Sequence, residues 1–139
     1  MDTPDEISRY HDGKTVFVHG TVEDATAFRL QSGITIVPLL SGSGVRIKIM
    51  EALALARPVV STSLGAEGLL LENGRDLKIA DGIEPFAEAT LALMRDAVHA
   101  NQLGRQGRAT VEHHYASERM AMNLVEILHQ LIEGDQSRP

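Results

Sequence analysis

The chain has 139 residues, enough for one domain with one core. A net charge of −6 argues against nonspecific nucleic-acid binding, and an aromatic content of 4% without Trp argues against a base-stacking platform. The absence of Cys excludes disulfides and thiolate chemistry and is compatible with the cytoplasm, the expected location. No apolar stretch reaches the length of a membrane span, and Met1–Glu6 does not read as the start of a signal peptide.

Residues 1–14 are polar and read as a lead-in. Thr15–Val18 reads as a short strand stopped by His19-Gly20. Thr21 is the expected cap of a helix from about Val22 to Ser32, with Glu23 and Asp24 in its first turn. Ile34–Val37 is β-branched throughout and predicts a buried parallel strand. A loop of small residues follows, then a helix from about Val45 to Ala56 whose Val45, Ile49, Ala52, Leu53 and Ala56 form a core stripe. Pro58–Ser61 is the next expected strand, Leu64–Gly74 a loop, and Leu77–Ala80 another short strand. Helices are expected over about Pro85–Asp96, about Asn101–His114, and after Ser117, where Met120, Leu124, Ile127, Leu128 and Leu131 share a face. Residues 134–139 form a polar tail. This alternation predicts an α/β fold: a parallel, Rossmann-like sheet of about four strands with flanking helices and a C-terminal helix.

Chemistry is concentrated in the run from Val37 to Ala52. A strand ends at Pro38, the loop Ser41-Gly42-Ser43-Gly44 follows, and a helix opens with Arg46, Lys48 and Glu51 in its first two turns. Glycines let backbone approach a ligand closely, and a helix N-terminus offers unpaired N–H groups and a positive dipole end. The combination suits a phosphate at the carboxyl end of the strand, where ligands of parallel sheets sit. Neither HxxxH nor a clustered Asp pair occurs, so no metal and no cofactor is expected.

These residues resemble the nucleotide-sugar site of group 1 (family 4) retaining glycosyltransferases of the GT-B fold. Gly42 to Ala52 is similar to the family's GsGxxxKxxEA element. Ala56-Arg57-Pro58-Val59-Val60-Ser61-Thr62 resembles its PVV-s-T continuation, and Gly65-Ala66-Glu67-Gly68 its G-x-E-G loop. Val18 to Asp24 resembles its G-x-v-x-D turn. The family often carries a further glutamate where Ser43 stands. The resemblance spans about residues 15–133 and identifies that stretch as an incomplete nucleotide-sugar-binding domain, the later part of the second of the two Rossmann-like domains of such an enzyme. It implies a donor-binding part of an enzyme that transfers a hexose, with retention, from a nucleotide sugar to an acceptor held by a facing domain. On this basis the chain is an excised or truncated piece.

By this resemblance Glu51 accepts hydrogen bonds from the donor ribose; the plainer reading is an ion pair with Lys48 one turn away. Gly42, Gly44 and Val45 would bring backbone to the diphosphate, with Arg46 and Lys48 balancing its charge, though surface solvation explains both cations equally. Ser43 would cap the helix or touch phosphate. Thr62, Glu67 and Gly68 are possible donor contacts on the neighbouring loop, and His19 a possible contact to base or ribose. Two further readings stand beside the enzyme: a nucleotide-binding fragment or interaction module without turnover, and a dinucleotide-binding domain. The last is disfavoured because no GxGxxG follows the first strand. An exposed sheet edge and apolar surface are expected where a complete domain would continue, and with them a homo-oligomer.

Overall fold

The structure is a computed structural model and describes residues 3–42, 44 and 46–135. Two compact units divide it, 1–31 and 32–139. The first contains α1 (Asp5–Ser8) and α2 (Ala25–Leu30). The second runs β1 (Thr35–Val37), α3 (Ile47–Ala54), β2 (Val59–Ser61), α4 (Ser63–Ala66), β3 (Lys78–Ile79), α5 (Ile83–Arg95), α6 (Ala97–Tyr115) and α7 (Ser117–Asp135).

In the first unit Thr15–Val18 is not a strand. Asp12 captures its backbone instead: the carboxylate accepts the N–H groups of Lys14, Thr15 and Val16 and the Thr15 hydroxyl. That hydroxyl, followed by the three N–H groups, holds the Asp12 carboxyl well below the usual carboxylate range. The Val18 N–H donates to His11 Nδ1 at 3.0 Å. Donors committed to these local acceptors are not offered to a neighbouring strand. The α2 helix starts three residues later than the sequence predicts, because Asp24 rather than Thr21 caps it, accepting from the N–H groups of Thr26 and Ala27.

The sheet of the second unit therefore has three strands, in the order β1-β2-β3, both pairs parallel. Thr35 pairs with Val59 and Val60 with Lys78. Successive residues of β2 point to opposite faces. Val59 joins Val37, Ile49, Ala52, Leu53, Leu77 and Val111 in one core cluster, while Val60 joins Ala89, Leu93, Ala100 and Leu103 in another. The α3 stripe read from sequence is thus real at Ile49, Ala52 and Leu53; Val45 lies outside the described residues. Its end is a Schellman turn, with Ala56 N–H donating to Leu53 and Arg57 N–H to Ala52. Ala56 occupies the left-handed position of that turn, at φ 53°.

Helix α6 contributes to both clusters and lies against the amino-terminal edge of the strands. Gly104 faces the backbone of Ala56 and Pro58, just before β2, and Gly107 faces the Asp76 carbonyl and the Leu53 side chain. Asp76 is 1% exposed. Its carboxylate accepts from the Thr110 hydroxyl and the Glu72 N–H, both at 2.8 Å, and lies 3.3 Å from Arg75 Nε. This network closes the amino edge.

Helices α5, α6 and α7 stand where periodicity predicts them, within a few residues. Asp96 caps α6 by accepting the His99 N–H, which starts that helix earlier than expected. On α7, Met120, Leu124 and Ile127 are all more than half exposed; the side chains of Leu128 and Leu131 lie outside the described residues. No helix among the described residues is long and apolar enough to cross a membrane.

Candidate functional site at the carboxyl edge of the sheet

The loop after β1 and the segment after β2 meet at the carboxyl edge. Thr62 extends the β1–β2 ladder by donating its N–H to the Val37 carbonyl at 3.3 Å. Its hydroxyl donates to the Leu39 carbonyl at 2.8 Å and accepts the Gly65 N–H at 3.1 Å. Thr62 thereby caps α4, a helical turn that sequence periodicity did not reveal inside the expected Leu64–Gly74 loop. Gly65 has room for no side chain, since a Cβ would collide with the Ser61 hydroxyl. The Ser63 N–H donates to Asp81 Oδ1 at 2.9 Å, which ties in the segment following β3.

Between β1 and α3 the backbone turns at Gly42 and Gly44, with φ of 118° and 90°. Both values lie in the region that L side chains avoid. Arg46 stands at the N-cap of α3 without a side-chain capping bond, and its Nη2 lies 3.5 Å from where a Cβ on Gly42 would stand. The half-buried guanidinium is thus folded beside the glycine loop. Lys48 and Glu51 follow on α3, both exposed, with Glu51 opposite the buried Ile49-Ala52-Leu53 face. Ser43 lies outside the described residues, as Val45 does. The structure thus brings Gly42 and Arg46 together at the head of α3, with Gly44 between them in the chain, and leaves Lys48 and Glu51 exposed on the first two turns of that helix. Such a head attracts anions.

Glu67 and Gly68 are exposed just past α4, with Gly68 at φ 76°. His19 belongs to the first unit, where its ring sits 5.0 Å from Phe28 and 6.4 Å from Phe17. It is exposed there. Sequence reasoning missed the hydroxyl bond from Thr62 to Leu39, which joins residues far apart in the chain and has no local signature.

An open cavity of about 600 Å³ lies on the other flank of the same edge, lined by Ile36, Pro38, Leu40, Thr62, Ile83 and Phe86 among others. Ile36 is 51% exposed there, Leu40 88% and Ile83 86%. These walls are apolar and offer a diphosphate nothing; the charged cluster lies with Arg46 and α3. Ile36 stands on the outer edge strand of the sheet, so this flank is an uncovered stretch of sheet and α5 surface.

Comparison with known proteins bears on the family and the fold. Over 116 residues the chain is 26% identical to an uncharacterized 44.6 kDa protein in the cps region of Klebsiella pneumoniae, covering 84% of this chain and 25% of that protein. Its fold is similar to the crystal structure of the C-terminal domain of a glycosyl transferase group 1 family protein (LpcC) from Francisella tularensis, with a TM-score of 0.61 and 18% identity over 71% of this chain and 53% of that one. The chain thus spans a quarter of the length of that curated relative and about half of that solved domain. The family model for glycosyl transferases group 1 matches residues 2–96, which takes in the glycine loop, α3 and the Thr62 segment, and on that match the chain belongs to the group 1 glycosyltransferase family.

Proposed function

We propose that this chain forms the donor-binding part of a glycosyltransferase that moves a hexose from a nucleotide sugar, with retention, to an acceptor. The reading places the donor diphosphate at Gly42, Gly44 and the head of α3, with Arg46 and Lys48 as counter-charges and Glu51 accepting from the ribose hydroxyls. The observation that carries it is the Arg46 guanidinium folded beside a positive-φ glycine loop, at a helix N-terminus that the Arg46 side chain does not itself cap. Preorganised donors of this kind act on the charge that develops on a leaving diphosphate. The nucleotide sugar is the substrate, and neither metal nor cofactor is part of the reading. The chain is placed in the cytoplasm or on the cytoplasmic face of a membrane.

The 139 residues by themselves are expected to bind without turnover, because transfer needs an acceptor held in near-attack geometry. Sugar transfer from a nucleotide sugar by the purified chain would overturn that point. The binding role is tested by calorimetric titration of UDP and GDP against wild type and Glu51→Gln. Loss of a charge-assisted hydrogen bond should weaken the bound nucleotide by about 1.5 kcal/mol, roughly tenfold in Kd. Equal binding by both proteins would remove Glu51 from the site.

A further inference from the structure

We infer that Thr62 is a positioning residue for the glycine loop and makes no donor contact of its own; the inference rests on the nucleotide site proposed above. A Thr hydroxyl carries a single proton. The Leu39 carbonyl can only accept, so that proton is committed to it, across a sequence separation of 23 residues. The Gly65 N–H can only donate, so it occupies one of the two lone pairs. Thr62 is 6% exposed, which leaves its hydroxyl little access to a ligand. Its effect on the glycine loop runs through Leu39.

Leu39 is where the chain leaves β1 for the loop. Its N–H already turns back to the Val37 carbonyl at 3.0 Å, and Thr62 fixes the carbonyl side of the same residue. Leu39 is therefore held from both ends, while the loop beyond it turns at Gly42 and Gly44. Glycine loops lose much backbone freedom on binding, and fixing one end in advance reduces that loss. The anchor itself is steady: Thr62 sits in the β1–β2 ladder and caps α4, whose Ser63 is held by Asp81.

The test compares Thr62→Val, which keeps the shape without the hydroxyl, with Thr62→Ser, which keeps the hydroxyl. Hydrogen exchange is read at the amide of Leu39, which donates to the Val37 carbonyl, and at those of Val59 and Val60, and UDP and GDP are titrated by calorimetry. Thr62→Val should speed exchange at Leu39 by about tenfold, leave Val59 and Val60 unchanged, and weaken nucleotide binding by about tenfold, with Thr62→Ser within about twofold of wild type. Unchanged exchange at Leu39 overturns the inference. So does faster exchange spread equally to Val59 and Val60, and so does a loosened loop with unaltered affinity. If the loop loosens selectively while wild type binds neither UDP nor GDP, the hold of Thr62 on Leu39 stands and the nucleotide reading falls.

Discussion

At the amino edge of the sheet, Gly104 and Gly107 let α6 lie directly on backbone; at the carboxyl edge, Gly42 and Gly44 let the backbone turn beside the Arg46 side chain. The first pair sits in ordinary helical conformation, and an added Cβ would collide with Ala56 at one position and Asp76 at the other. The second pair has positive φ, and at Gly44 no atom of the described residues beyond its chain neighbours lies within 4 Å of an added Cβ. One residue type thus serves closure at one edge and openness at the other. The polar groups divide in the same way. Asp76 and Thr110 are buried and satisfied by each other, whereas Lys48 and Glu51 stand in solvent.

Substitutions should separate the two edges. Asp76→Ala leaves the buried Thr110 hydroxyl and the Glu72 N–H without their acceptor and should cost about 3 kcal/mol of stability in urea unfolding. A loss under about 1 kcal/mol would mean the amino edge is not closed by this network. Gly104→Ala forces α6 away from backbone that cannot rotate aside, and a loss of about 2 kcal/mol is expected at unchanged m-value. Neither change should affect nucleotide affinity in the protein that remains folded.

At the open edge the balance reverses. Gly44→Ala meets no atom of the described residues but must adopt φ of 90°, so stability should fall by about 1 kcal/mol while nucleotide affinity falls further. A stability loss matching that of Gly104→Ala would erase the contrast. The smallest effect is expected at Ala56, the left-handed residue of the Schellman turn. Ala56→Gly relieves its backbone cost but frees the unfolded chain, for a net gain of about 0.5 kcal/mol by thermal unfolding. A clear destabilisation would show that the Ala56 methyl group packs against something the turn needs.

These contrasts were legible in sequence to different degrees. β-branched runs marked Ile34–Val37 and Pro58–Ser61, and the small-residue loop marked the open edge, because both signals are local. Thr15–Val18 carried the same strand signal and failed, because Asp12 nearby offered its N–H groups a closer acceptor. The α4 turn was invisible, being too short for periodicity and defined by a cap and a glycine. The Asp76–Thr110 pair joins residues remote in the chain, and nothing near either announces the other. One signal was present and unread: Gly104 and Gly107 lie three apart in a helix, each costing about 1 kcal/mol relative to Ala. Two such losses on one helical face point to close packing.

The most direct measurement is chemical-shift mapping of UDP and GDP on the isotope-labelled chain. The account predicts that one of them perturbs the amides of Leu40–Gly42, Gly44, Arg46–Lys48 and Gly65–Gly68, and leaves those of Asp76, Gly104, Gly107 and Thr110 unmoved. Perturbations centred on the amino edge, or none with either nucleotide, would contradict it.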